Sequence, residues 1–279
     1  MKQTQTRTWA EIDLSNLEHN YRALRAMLPQ DCRFLGVVKA DAYGHGAVPV
    51  ARKLEKLGAE YLAVACLDEA LELRQAGIKT PVLILGYTPA ERAAALLEAL
   101  KARGVTFAIR HCAASAAVLN YPCTYLDMVR PGIALYGHYP DPSCEGLDGP
   151  GLRPVMSLKT RVASVKTLPE GTPVSYGCTH VLERETRLAA LTIGYADGLP
   201  RLASDRWQVV IHGQRAPIVG RVCMDMCMVD VTGLDVVPGD EAEVFGEHLP
   251  VEELASLAGT VQYELLCAVS PRVHREYRD

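Results

Sequence analysis

The sequence predicts an α/β first half followed by a mostly antiparallel β domain. Short apolar runs alternate with amphipathic segments up to about residue 138. Beyond it, β-rich stretches are broken repeatedly by Gly, Pro and Asp. A Pro- and Gly-rich segment, DPSCEGLDGPGLRP, lies between the two patterns as a natural linker. Strand and helix alternating in short order require a parallel sheet with helical crossovers. Turn residues between short β-rich runs favour antiparallel pairing instead. The expected domains are residues 1–138 and 139–279.

In chain order, EIDLSNLEHNYRALRAML sets Leu17, Tyr21, Leu24 and Leu28 at helical spacing, with Ser15 as the N-cap. RFLGVVKA is an apolar run of the kind shown by a strand covered on both faces. GAVPVARKLEKLGA reads as a helix ended by Gly58, YLAVAC as a second strand and LDEALELRQAGI as a helix. PVLILGY is a third strand, ERAAALLEALKARG a helix and VTFAIRH a fourth strand. ASAAVLNYP is a short helix, and TYLDMVRPGIALYG supplies the fifth strand. The β-rich segments that follow are VMSLKTRVASVKTL, RLAALTIGYADG, WQVVIHGQRAPIVGRVCM, CMVDVTGL and DEAEVFG. Gly213 and Pro238-Gly239-Asp240 mark turns among them.

With 49% hydrophobic and 22% charged residues and a net charge of -4, the 279-residue chain has the composition of a soluble globular protein without a nucleic-acid footprint. The opening MKQTQTRTWAEI lacks the apolar core of a signal peptide, and no apolar run reaches the roughly 18 residues of a membrane span. A cytoplasmic protein is expected. Nine scattered cysteines fit reduced thiols, since Cys223 and Cys227 in CMDMC lack the rest of a metal-ligand set.

The stretch VVKADAYGHG ends a buried-looking strand on Lys39. A lone lysine there is usually a solvated surface group. An amine held in a pocket can instead form a Schiff base with a carbonyl cofactor such as pyridoxal 5'-phosphate. Such a site needs phosphate donors, a partner for the pyridine nitrogen, and proton carriers beside the substrate α-carbon. Tyr43, Ser115 at a short helix start, and Arg130, Gly132 and Ile133 in VRPGIALYG offer suitable groups at strand ends.

In order and over nearly its whole length, the chain resembles the pyridoxal phosphate-dependent alanine racemases. The matching blocks are RTWAEIDLSNLEHN, VVKADAYGHG, VRPGIALYG, VSYGCTH, IGYADGLPR, VGRVCMDM and YELLCAVSPRVHREY. The resemblance implies an α/β TIM-type barrel followed by a β domain, in a head-to-tail homodimer that takes a small amino acid. It implies that Lys39 carries the cofactor and that Tyr43, Ser115, Gly132, Ile133 and Tyr263 bind its phosphate. Arg130 would meet the pyridine nitrogen and the substrate side of the site, and Tyr195 and Met224 the substrate. Tyr176 would reach the other subunit's site as the second base. Racemisation takes a proton from one face of a planar carbanion and returns one to the other, which asks for two bases, here Lys39 and Tyr176. An always-charged Arg130 would keep the ring nitrogen unprotonated and weaken the electron sink, disfavouring transamination. The expected product role is supply of D-alanine for peptidoglycan.

The first half departs from the family in length. A complete barrel of this type takes about 250 residues, and only about five of eight units are legible here. The missing part would fall near ERAAALLEALKARG and comprise the fourth to sixth strands. In the family these strands carry an arginine that contacts the substrate carboxylate and a histidine beside the catalytic tyrosine; no residue here fills either role. Ala114 stands where the family pattern has asparagine. The alternative expectation is a shortened scaffold that binds cofactor weakly or only dimerises.

Overall fold

The structure is a computed structural model that describes residues 7–85, 109, 111, 113–125, 127–141, 144 and 150–278. It divides into two units, residues 13–155 and residues 7–12 with 156–278. The division falls at residue 155, at the far end of the linker that follows residue 138. The first strand, β1 (Thr8–Asp13), pairs antiparallel with a strand of the second unit, Ala10 opposite Leu158, which is why residues 8–12 leave the first unit.

Asp13 closes β1 and starts α1 (Leu14–Ala26), its carboxylate accepting from the Ser15 and Asn16 amides. The cap is thus Asp13 and not Ser15, because an ionised acceptor one position before the first turn reaches two orphan amides. Helix α1 buries Leu14, Leu17, Tyr21 and Leu24, and Tyr21 meets Phe34 edge-on at 4.7 Å between ring centres. Phe34 lies on β2 (Arg33–Val37), followed by α2 (Ala47–Leu57), β3 (Tyr61–Val64), α3 (Leu67–Gln75) and β4 (Val82–Ile84). After α4 (Ser115–Asn120), β5 (Met128–Val129) completes a parallel sheet in the order β4-β3-β2-β5. The pairs Leu35↔Tyr61, Leu62↔Val82 and Phe34↔Val129 fix its register. Gly36 permits the close approach of α2, since a Cβ there would lie 2.7 Å from Leu54 Cδ1.

TYLDMVRPGIALYG forms only the two-residue β5. Pro131 lacks the amide that would extend the ladder, and the chain turns into a 3₁₀ segment, Ile133–Tyr136, ended by Gly137 at φ 89°. Buried Asn20 holds this segment to α1, donating to the carbonyls of Leu135 and Arg153 and accepting from the Arg153 amide at 2.8 Å. Parallel strands are described at four of the expected five places; ERAAALLEALKARG, all of VTFAIRH but Ile109 and His111, and half of the linker lie outside the described residues.

In the second unit, β6 (Met156–Leu168) is followed by the short pair β7 (Pro173–Val174) and β8 (His180–Val181). Then come β9 (Thr186–Leu191), β10 (Gln208–Ile211), β11 (Gln214–Val219), β12 (Cys227–Asp230) and β13 (Glu241–Phe245). The order β13-β10-β11-β12-β9-β6, with β13 also pairing β6, closes a ring without open edges, and β1 and β14 (His274–Arg278) extend it. His212 and Gly213, at φ 50° and 74°, make the tight β10–β11 turn that Gly213 signalled. Two helices were not legible among the β-rich runs, α5 (Val251–Ala258) and α6 (Gln262–Ala268). Among the described residues no helix is long and apolar enough to cross a membrane.

A Cβ at Gly137 would lie 1.9 Å from the Arg153 carbonyl oxygen. Gly137→Ala is therefore expected to lower stability by about 3 kcal/mol or more in urea titration; a loss below about 1 kcal/mol would show that the two segments separate freely.

Candidate active site

Strand β2 ends at Val37, and the next turn is unusual. Ala40, Asp41, Ala42 and Tyr43 have φ of 53°, 51°, 53° and 55°, a turn of left-handed helix without glycine. Each such residue costs roughly 1–2 kcal/mol, so the surroundings must hold it. The Ala42 amide donates to the Val38 carbonyl at 2.9 Å and the Gly44 amide to Ala40 at 3.0 Å. Glu69 accepts from the Ala40 amide, and Asp41 accepts from the Ala47 amide at the start of α2, at 2.8 and 2.7 Å. His45, fully buried, places Nδ1 2.8 Å from the Ala42 carbonyl and 3.0 Å from that of Tyr43, and so donates to both. Gly44 and Gly46, at φ 82° and 95°, release the chain into α2.

The turn starts at Lys39 and delivers Tyr43 to the end of β5. The Tyr43 hydroxyl sits against Gly132, where a Cβ would lie 2.5 Å from it. Tyr136 stacks near Tyr43, with ring centres 5.0 Å apart, and donates its hydroxyl to the Val37 carbonyl at 2.7 Å. Ser115 Oγ accepts from the amides of Gly132 at 2.9 Å and Ala134 at 3.3 Å. Arg130 is tied by its amide to the Ala113 carbonyl, and it bridges Ala114 in parallel register. Lys39, Tyr43, Ser115, Arg130, Gly132 and Ile133 are thus gathered where β2 and β5 end. Among the described residues the half-buried Lys39 amine has no hydrogen-bond or ion-pair partner. Converging amides, a buried hydroxyl pair and a free amine are the donor set a phosphate-bearing aldehyde needs, so the residues fit pyridoxal phosphate.

The second unit carries the other predicted residues. Tyr176 lies at the tip of the β7–β8 hairpin, between Ser175 at φ 64° and Gly177 at φ 75°. The tip is held by Ser175 Oγ, which donates to the Arg221 carbonyl at 2.7 Å, and by His180 Nδ1, 2.8 Å from Asp205. Gly177 admits the Arg221 guanidinium, 2.7 Å from where a Cβ would stand. Tyr176, Tyr195, Arg201, Arg221 and Met224 line a cavity of about 680 Å³. Tyr176 is 74% exposed. Tyr263 sits half-buried on α6, away from the lining of this cavity. Full burial, then neighbouring Cys223, pushes the Cys227 thiol up to about 12, which makes it a core side chain at neutral pH.

The family model described as "Alanine racemase, N-terminal domain" matches residues 12–99 and 90–140, and "Alanine racemase, C-terminal domain" matches 155–277. The chain belongs to the alanine racemase family. The alanine racemase of Desulforamulus reducens is 39% identical over 366 aligned positions, spanning 96% of this chain and 98% of that protein. That of Desulfovibrio desulfuricans is 38% identical, with 96% and 97% covered. The structure of Clostridium difficile alanine racemase in complex with cycloserine is similar at a TM-score of 0.91 and 34% identity, covering 99% of this chain and 96% of that one.

Sequence reading passed over His111, because a single histidine carries no spacing signal. Burial first, then the Arg130 guanidinium, hold its imidazole below the usual range, so it is neutral near Arg130 at pH 7. Ala114 occupies the N-cap of α4 and offers no side-chain acceptor. Ala114→Asn should therefore gain about 0.5–1 kcal/mol by denaturant titration; no gain would mean that the cap amides are already satisfied. Ala40→Gly, at an exposed left-handed position, should be neutral or gain up to about 1 kcal/mol. In a right-handed helix the same change loses a similar amount, so a measured loss would deny the left-handed turn.

Proposed function

We propose that this chain interconverts L- and D-alanine with pyridoxal phosphate held at Lys39. The observation that carries this is the half-buried Lys39 amine just past β2, without a partner among the described residues, at the start of the turn that sets Tyr43 against Gly132. Bound there, pyridoxal phosphate would supply the electron sink that acidifies the substrate α-proton. The amides of Gly132 and Ile133, with the Ser115 and Tyr43 hydroxyls and Tyr263, would hold its phosphate. Arg130 would supply a permanent positive charge toward its ring nitrogen. Lys39 Nζ moves the proton on one face of the substrate α-carbon, and Tyr176 Oη moves it on the other. Tyr176 serves the site of a second copy in a homodimer, which its exposure favours, and Tyr195 and Met224 orient the amino acid. The protein acts in the cytoplasm, and its product supplies peptidoglycan.

We infer further that the barrel is shortened to about five units. The N-terminal family model matches in two stretches that overlap at residues 90–99, all but the first of them in ERAAALLEALKARG. The alignment with the Desulforamulus protein runs over 366 positions, more than the 279 residues of this chain, so that protein has residues with no counterpart here.

The test is exchange of alanine's α-proton in heavy water, with cofactor added and the chirality of the product resolved. Exchange with inversion is expected, and Tyr176→Phe should slow turnover of the L-isomer by about 100-fold or more while leaving cofactor absorbance unchanged. Exchange with retention would remove Tyr176 from the mechanism. Absence of exchange would favour the shortened scaffold.

A further inference from the structure

We propose that Asp197 is a positioning residue: it locks the loop bearing Tyr195 against the loop bearing Met224, and so sets how tightly the cavity holds its amino acid. The substrate part rests on the racemase reading above. Asp197 is only 1% exposed, and its Oδ1 accepts from Arg7 Nη2 and Arg272 Nε, both at 2.8 Å. Its Oδ2 accepts from the Gly194 amide at 3.0 Å. The same two arginines cross to the facing loop. Arg272 Nη2 lies 2.8 Å from Asp225 Oδ1, and Arg7 Nη1 donates to the Asp225 carbonyl at 3.2 Å.

Between these anchors the loops meet backbone to backbone. The Tyr195 amide donates to the Cys223 carbonyl at 3.0 Å and the Ala196 amide to the Met224 carbonyl at 3.1 Å. A Cβ at Gly194 would lie 2.2 Å from the Cys223 carbonyl oxygen, so glycine is what permits the approach. Tyr195 and Met224 line the cavity, whereas Arg7, Asp197 and Arg272 do not. The carboxylate therefore acts through the loops and not by contact. A buried carboxylate stripped of its charge leaves Arg7 without its ion pair and Arg272 held by Asp225 alone. The Arg272 fork spans two carboxylates, which the point charge of lysine cannot do.

Hydrogen exchange at the Tyr195 and Ala196 amides, together with alanine kinetics on the cofactor-loaded protein, tests this. In Asp197→Asn those amides should exchange about tenfold faster or more. KM for alanine should rise about tenfold with kcat within about threefold, and cofactor absorbance should not change. Amides exchanging at the wild-type rate would overturn the proposal, as would a fall in kcat at constant KM. If neither protein racemises alanine, the racemase reading fails while the exchange rates still decide the positioning role. Should Asp197→Asn not fold, Arg272→Lys replaces it, with about threefold faster exchange expected and unchanged exchange overturning the proposal.

Discussion

Four consecutive non-glycine residues held at positive φ, Ala40 to Tyr43, are the constraint on which the first unit depends. A right-handed continuation after Val38 would carry Tyr43 elsewhere, and the phosphate cradle would lose its hydroxyl against Gly132. The strain of the left-handed turn is offset by four sets of bonds: from Glu69 of α3, from Asp41 to the start of α2, from His45, and from Val38 just past β2. Local strain of this kind is found where geometry is needed for chemistry. Here it begins one residue after Lys39, whose amine has no partner among the described residues.

The second unit solves a different problem. It must present Tyr176 on an exposed hairpin tip without letting it wander. A closed ring of strands removes the sheet edges, and from that ring Arg221 and Asp205 reach the hairpin, one beneath Gly177 and one to His180. The Tyr195 and Met224 loops are fixed to each other in the same manner, by paired amides flanked by ionic anchors. Rigid scaffold and short functional loops are thus separated within one unit.

Much of this was legible in the sequence. Helical periodicity found α1, α2 and α3, apolar runs found β2, β3 and β4, and Gly58 and Gly213 marked their turns correctly. The candidate site residues were named through their motif blocks, each too common to be read alone. What failed did so for physical reasons. Asp13 took the cap from Ser15 because both are good caps and only the end of β1 decides between them. β1 itself was read as a prelude to a helix, since its partner lies some 150 residues away, Ala10 opposite Leu158. Helices α5 and α6 are short and embedded among β-rich runs, where composition does not distinguish them. No local pattern announces a left-handed turn built of alanine, because its cause lies in Glu69 and His45.

The most direct measurement is borohydride reduction of the cofactor-loaded protein, followed by peptide mass mapping. If the turn after β2 presents the reactive amine, the pyridoxyl label resides on Lys39 alone and Lys39→Ala carries none. Label spread over other lysines, or retained in that variant, would contradict the site as built here.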